Sequence, residues 1–142
     1  DNLLESGASN WLAAIGRAGD EWAIAACDIS TGRFELIACE HSELAAELAR
    51  LGPAEVIGGE PVEGIAGRWG HEGFDSLGGE QDLRQRFGLA DLEGLGSPGR
   101  AELAACGGLL AYLGATQREA TAFLALPRRI ARSRHMAIDA AT

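Results

Sequence analysis

Lysine is absent from this chain of 142 residues, and all twelve of its basic residues are arginine. A phosphate-binding loop of the GxxxxGK[ST] type needs a lysine, and the glycine pairs at 58–59, 78–79 and 107–108 lie outside any such motif. The GxSxG motif of a serine nucleophile is absent as well. The sequence therefore excludes a P-loop ATPase within this segment and gives no sign of nucleophilic catalysis.

Cysteine and histidine are too few and too scattered to predict a metal centre. The cysteines form no CxxC motif, and no two of these cysteines and histidines have the spacing of paired zinc ligands. The residues are Cys27, Cys39, Cys106, His41, His71 and His135. We expect the cysteines to be buried free thiols in a reducing cytoplasm. No apolar run approaches the ~20 residues of a membrane span, and no signal segment opens the chain. We therefore expect a cytoplasmic domain with no membrane contact and no cofactor of its own.

Positive charge is also scarce, because 21 acidic residues outnumber the arginines and give a formal net charge of −9. Binding of duplex DNA needs a positive surface over the phosphates, which this balance does not supply for the chain as a whole. The local exception is a cluster of four arginines after Pro127: Arg128, Arg129, Arg132 and Arg134. The cluster could contact phosphates or could pair with acidic residues of this domain or a neighbouring one, and the surplus of acids favours pairing. Arg128 and Arg129 are therefore candidates for contact with a partner.

The apolar pattern predicts one α/β domain over residues 1–142, built on a mixed sheet. Apolar runs predict strands at 10–15, 22–28 and 33–39, which short turns join into an antiparallel meander. A strand at 55–58 follows a helix, which implies a crossover onto the same sheet, and 135–138 is a candidate last edge strand. The chain has no initiator methionine and stops inside an ordered-looking run. We therefore expect a domain excised from a longer protein.

Capping residues and apolar spacing predict the helices. Ser42 is expected to cap a helix over 42–51 that ends at Gly52-Pro53, and a second helix is expected over 80–87. Ser97-Pro98 is expected to open the longest helix, because serine is a good cap and proline suits the first helical position. Gly107-Gly108 would let another element approach this helix closely. Gly114 is a candidate interruption before a second segment over 115–124, and a short helix is possible over 61–69.

Asp28 admits two interpretations, because it follows the strand at 22–28. It could be the first metal ligand of an active ribonuclease H-like nuclease, since such sites need several converging carboxylates; the other candidates are Glu55, Asp82 and Asp139. Asp28 stands, however, at the end of the second strand, and many carboxylate combinations are available among so many acids. The favoured interpretation is a turn residue whose carboxylate accepts hydrogen bonds from the backbone amides of Ser30 or Thr31.

Three stretches together resemble the connector domain, domain II, of the bacterial MutS family of DNA mismatch-repair proteins. They are NWLAAI followed by AACDISTGRFEL, then LRQRFGLADLEGLG leading into AACGGLLAYLGATQ, and finally the run from Leu126-Pro127-Arg128 to the end of the chain. Their order and spacing match over nearly the whole sequence. The last stretch, 126–142, resembles the junction that leads toward the core and lever helices of that family.

The resemblance implies a ribonuclease H-like α/β fold without nuclease activity. It implies a domain that links the mismatch-binding domain to the core and ATPase domains, transmits conformational change, and offers a docking surface for MutL. ATP, Mg²⁺ and mismatched DNA would be bound by other parts of the same protein. The region linked to MutL contact corresponds here to Gln81 and Asp82; Asp82 departs from a Gln-Gln pair of some members, and both residues could instead form a solvated helix face. Joins near Gly88, 94–96 and Gly114 are candidate hinges.

Overall fold

The computed structural model describes residues 10–130, and its first three strands form an antiparallel meander. These strands are β1 (Trp11–Ala18), β2 (Glu21–Asp28) and β3 (Phe34–Cys39). β1 pairs with β2 from Trp11 opposite Asp28 to Ala18 opposite Glu21, and β2 pairs with β3. The central five residues of both β1 and β2 are buried, as expected for strands covered on both faces. The predicted meander is confirmed.

Two further strands complete a mixed five-stranded sheet in the order β4-β1-β2-β3-β5. β4 (Glu55–Gly58) pairs in parallel with β1, so the predicted crossover is confirmed. β5 (Arg128–Ile130) pairs in parallel with β3. Its first two residues, Arg128 and Arg129, belong to the arginine cluster. The predicted strand at 135–138 lies outside the described residues. The predicted fold class, an α/β ribonuclease H-like mixed sheet flanked by helices, is confirmed.

Helices cover both faces of the sheet. One face packs against α2 (Ser76–Phe87) and α3 (Arg100–Thr116), and the other packs against α1 (Leu44–Leu51) and the loop after β4. A short turn of helix, α4 (Arg118–Thr121), follows α3. None of the helices within residues 10–130 has the length and apolarity needed to cross a membrane. The short helix predicted at 61–69 is wrong: this loop instead pairs with the outer edge of β4 through Arg68 and Ile57.

Three of the predicted helix boundaries are wrong. Before α1, residues 41–43 form a 3-10 turn with Glu40 at the N-cap, so Ser42 does not cap the helix. Ser97 adopts a left-handed conformation with φ of 51°, which places it outside α3; Gly99 is the N-cap instead, and its N–H donates to Glu102 over 2.7 Å. Gly114 does not interrupt α3, which continues to Thr116, because a glycine still supplies the N–H and the carbonyl that the helix needs for its hydrogen bonds.

α2 and α3 approach each other closely where both helices carry glycine. A β-carbon built on Gly79 of α2 would overlap the Leu103 carbonyl of α3, and one built on Gly107 would lie 2.6 Å from the Gly73 carbonyl oxygen. Gly16 lets α3 approach β1 in the same way, since its β-carbon would lie 2.6 Å from the Ala101 carbonyl oxygen. The close approach predicted at 107–108 is confirmed, and it fixes α2 in place on the sheet.

The cysteines are buried free thiols, as predicted. Burial, with a smaller contribution from the neighbouring Asp28, raises the pKa of Cys27 to about 12. Burial also raises the pKa of Cys106, with Asp82 raising it further and Arg86 lowering it. Both thiols therefore stay protonated in the folded protein well above neutral pH.

We expect the free energy of unfolding to fall as pH rises from about 9 to about 12, since Cys27 ionises in the unfolded chain but stays protonated in the fold. The expected slope is about 1.4 kcal/mol per pH unit for each such thiol. Lysine, which would titrate in the same range, is absent from the chain. Urea unfolding at pH 8 and pH 10.5 measures the effect. Cys27→Ala should reduce the slope by one thiol's contribution, and an unchanged slope would contradict the assignment.

Candidate functional site

The outward face of α2 carries an uncharged stripe at the positions one turn apart. Leu77, Gln81 and Gln85 follow one another at i, i+4 and i+8, so they lie on one side of the helix. All three are exposed, and Leu77 is 69% exposed, the largest value among the bulky apolar residues that the structure describes. We call these three residues the α2 stripe. It offers an apolar side chain and two amides to a partner.

Charges on both flanks of the α2 stripe are paired within the helix. Glu80 and Arg84 approach to 4.0 Å, and Asp82 and Arg86 to 3.4 Å. Each pair balances one acidic and one basic side chain, so the surface beside the uncharged stripe has no net charge from these four residues, in a chain whose net charge is −9. Depletion of charge at the centre of a surface patch is a compositional signal of a protein interface.

The two candidate partner residues of α2 have different surroundings. Gln81 is exposed in the α2 stripe, whereas Asp82 is half-buried, bonded to Arg86 and close enough to Cys106 of α3 to raise the pKa of that thiol. Sequence reasoning did not identify Leu77 and Gln85. α2 begins at Ser76, because Asp75 caps it by accepting a hydrogen bond from the Gly78 N–H over 2.8 Å. With that start, the spacing of four residues on either side of Gln81 identifies Leu77 and Gln85.

The two arginines of the cluster that the structure describes, Arg128 and Arg129, have different surroundings. Arg129 donates from Nε to Glu102 Oε2 over 2.7 Å and from Nη2 to Oε1 over 2.9 Å, and its Nη1 donates to the Gly96 carbonyl. The Glu102 side chain is only 3% exposed, so this two-pronged pair ties β5 to the first turn of α3. Arg128 is exposed, and its guanidinium has no hydrogen-bond or ion-pair partner among residues 10–130, although its backbone pairs with β3. Arg132 and Arg134 lie outside the described residues.

Asp28 closes the turn between β2 and β3. Its Oδ1 accepts a hydrogen bond from the Ser30 N–H over 2.9 Å and from the Ser30 hydroxyl over 2.7 Å. Burial raises the pKa of Asp28, but hydrogen bonds from Ser30 and Thr31 outweigh it and hold the pKa below its usual value. The predicted role of Asp28 as a turn residue is confirmed.

The carboxylates proposed for a nuclease are not brought together. Glu55 accepts a hydrogen bond from the Tyr112 hydroxyl over 2.7 Å, and Asp82 pairs with Arg86 on another element. Asp139 lies outside the described residues. Within residues 10–130, no three side chains among His, Cys, Asp and Glu are arranged to hold a metal ion. The geometry therefore gives the nuclease alternative no support.

A cleft of about 790 Å³ lies beside the pair of Arg129 and Glu102. Its lining includes three acidic residues, Asp20, Glu21 and Glu40, together with Trp22. Negative charge on these walls opposes the entry of a phosphate group. Among residues 10–130, Arg129 is the only arginine that lines this cleft, and its guanidinium is already bonded to Glu102.

The family follows from comparison with known proteins. The sequence model of the family described as MutS domain II matches residues 10–127. The chain belongs to the MutS domain II family. It is 46% identical to the DNA mismatch repair protein MutS of Zymomonas mobilis over 99% of the chain, and 42% identical to that of Erythrobacter litoralis, also over 99%. The Dinoroseobacter shibae protein of the same name is 38% identical over 99% of the chain.

The chain spans 17% of the length of the Zymomonas mobilis relative and 16% of the Erythrobacter litoralis one. Domain II is therefore a small part of each of these relatives. The resemblance to the MutS family that the sequence motifs indicated is confirmed.

Proposed function

We propose that this domain II is the non-catalytic connector of a MutS-type mismatch-repair protein, and that the α2 stripe is its docking surface for MutL. In this role it links the mismatch-binding domain to the core and ATPase domains of one cytoplasmic polypeptide. ATP and Mg²⁺ would act in the ATPase domain and not in this segment. The observation that carries the proposal is the exposed, uncharged stripe of Leu77, Gln81 and Gln85 on a helix that is rigidly held.

A connector must move as one body if it is to pass a displacement between its neighbours. The contact of Gly79 with α3 and that of Gly16 with α3 leave no room for α2 or β1 to shift against that helix. A strand at the edge of the sheet, β5, is held to the same helix by Arg129. These contacts support transmission of motion by the whole domain.

Two of the candidate hinge glycines have local structural tasks. Gly88 ends α2 with φ of 66°, and Gly96 ends a 3-10 turn with φ of 85°. The Gly96 carbonyl also accepts a hydrogen bond from Arg129, which restrains the segment 94–96. We therefore infer that Gly88 and the segment 94–96 do not act as hinges.

Direct binding of DNA by this domain is expected to be weak. The cleft near Arg129 is lined by carboxylates, and the guanidinium of Arg129 is bonded to Glu102. Among the arginines of the cluster that the structure describes, only Arg128 has its charge free for a phosphate. Mismatched DNA would be bound through other domains of the same protein.

Binding of MutL to the 142-residue chain tests the docking proposal. We expect Leu77→Ser and Gln81→Ala each to weaken binding at least about fivefold, since truncation of an interface anchor costs more than about 1 kcal/mol. Asp82→Asn should change the affinity less than twofold, because Asp82 is paired with Arg86 inside the helix. Biolayer interferometry with immobilised chain measures these affinities.

The matched control is Leu126→Ser, which removes an exposed leucine from a different surface. It should bind MutL like the unaltered chain. If the unaltered chain binds no MutL, or if Leu126→Ser weakens binding as much as Leu77→Ser does, the α2 stripe is not the docking surface. Circular dichroism confirms that each variant is folded.

A further inference from the structure

A second exposed apolar surface lies in the segment between α4 and β5. Phe123 is 53% exposed and Leu126 is 46% exposed, while Leu124 between them is buried in the core. Apart from Leu77 of the α2 stripe, these are the only large apolar residues exposed to this extent within residues 10–130. We call Phe123 and Leu126, together with Arg128 two residues after Leu126 in the chain, the Phe123 patch.

The backbone holds the Phe123 patch at the surface. The Ala125 N–H donates to the Gly32 carbonyl over 2.8 Å, and a β-carbon built on Gly32 would overlap the Phe123 carbonyl and approach the ring to 3.2 Å. The segment is therefore clamped against the turn between β2 and β3. Leu124 belongs to the core cluster, so the segment is anchored to the domain while Phe123 and Leu126 remain exposed. Apolar groups presented in this way are preorganised for contact.

The chemistry of the Phe123 patch indicates the chemistry of its occupant. Phenylalanine and arginine are enriched in the buried centres of interfaces. Arg128 starts β5 two residues after Leu126 and is exposed, and its guanidinium has no partner among residues 10–130. A complementary surface would present apolar side chains and at least one carboxylate.

The size of the Phe123 patch favours an occupant within the same polypeptide. An aromatic side chain buries about 150–250 Å² when fully covered, so a half-exposed phenylalanine with a half-exposed, smaller leucine offers less than about 200 Å². A stable contact between separate proteins buries about 800 Å² on each partner. Two domains of one polypeptide need less, because their linkage gives an effective concentration on the order of millimolar. The relatives of this chain are about six times its length, since it spans 17% of the Zymomonas mobilis protein.

We infer that the Phe123 patch is an interdomain contact, on which another domain of the same MutS-length polypeptide packs an apolar surface bearing a carboxylate. The inference rests on the proposed connector role but not on the docking of MutL. It adds a point of contact that lies next to β5, so that a displacement of the neighbouring domain would reach α3 through Arg129 and Glu102.

Protection of introduced thiols tests this contact. Phe123→Cys, Leu126→Cys and Leu77→Cys are each prepared in the 142-residue chain and in the MutS-length polypeptide that contains it. The native cysteines of the described part are buried, so they contribute little background. Reaction with N-ethylmaleimide, followed by peptide mass spectrometry, gives the modification rate at each position.

We expect modification at positions 123 and 126 to be at least tenfold slower in the longer polypeptide, with no change at position 77. Equal rates at 123 and 126 in the two lengths would overturn the inference, and so would an equal slowing at all three positions. Protection that grows with concentration in the 142-residue chain alone would show a second copy as the occupant and would also overturn it. Because no MutL is present, the outcome is independent of the docking test.

Discussion

Gly79→Ala is expected to lower the free energy of unfolding by about 2–3 kcal/mol, although alanine is a better helix former than glycine. The added methyl group would overlap the Leu103 carbonyl of α3, which is backbone and cannot turn away. The two helices would have to separate, and overpacking of this kind costs about 1–3 kcal/mol, occasionally more. Urea denaturation followed by circular dichroism at 222 nm measures the change.

Gly114→Ala is the matched control, because Gly114 is also helical but its β-carbon would meet nothing within 4 Å. This variant should stabilise the chain by about 0.5–1 kcal/mol through helix propensity alone. If both substitutions stabilise the protein, then α2 does not pack on α3 as closely as the structure indicates. A destabilising Gly79→Ala would link the position of the α2 stripe to a single glycine contact.

Glu102→Gln is expected to destabilise the chain by about 1–3 kcal/mol, because it removes the charge that Arg129 binds. Loss of one partner from a fully buried pair costs about 3–5 kcal/mol, and an exposed pair contributes about 0–1 kcal/mol. This pair is intermediate, since the side chain of Glu102 is 3% exposed and that of Arg129 is 38% exposed. Glutamine retains an oxygen for the Gly99 N–H, so the cap of α3 is preserved.

A double-mutant cycle with Arg129→Met isolates the pair. The coupling energy should be at least about 1 kcal/mol, as found for residues that share one hydrogen-bond network. The comparison pair is Glu80 and Arg84, which approach only to 4.0 Å on the exposed side of α2, so Arg84→Met should change stability by less than about 0.5 kcal/mol. Equal effects in the two pairs would show that Arg129 does not hold β5 to α3. Hydrogen exchange at β5 should also accelerate in Glu102→Gln.

Much of the sheet could be predicted because its signals are local. The apolar runs of β1 and β2 and the turn at 29–33 lie within a few residues of one another, and Asp28 bonds the amide two positions ahead. The end of α1 was equally local, since Gly52 takes the left-handed conformation with φ of 64°. The start of α2 was missed because its first turn contains two glycines, which weaken the helical pattern although Asp75 caps it.

Only part of the candidate site could be predicted from the sequence. Gln81 was identified by resemblance, but its separation from Asp82 depends on how α2 lies against α3. Rotation of that helix places Asp82 toward Cys106 and leaves Gln81 with Leu77 in the solvent. The sequence likewise could not decide whether Arg129 contacts a partner or pairs with an acidic residue of this domain, since its partner Glu102 lies 27 residues away in sequence.

The sequence by itself determined the family, the order of the first four strands, and the absence of a P-loop from this segment, because these depend on residue types and short spacings; it did not predict β5. Only the tertiary structure decided which side chains remain available to a partner. Packing between distant segments leaves four side chains exposed: Leu77, Gln81, Phe123 and Leu126. The same packing brings Arg129 to Glu102, which neutralises its charge. The physical reason is that helix rotation and burial are set by contacts such as that of Gly79 with Leu103, which no local pattern encodes.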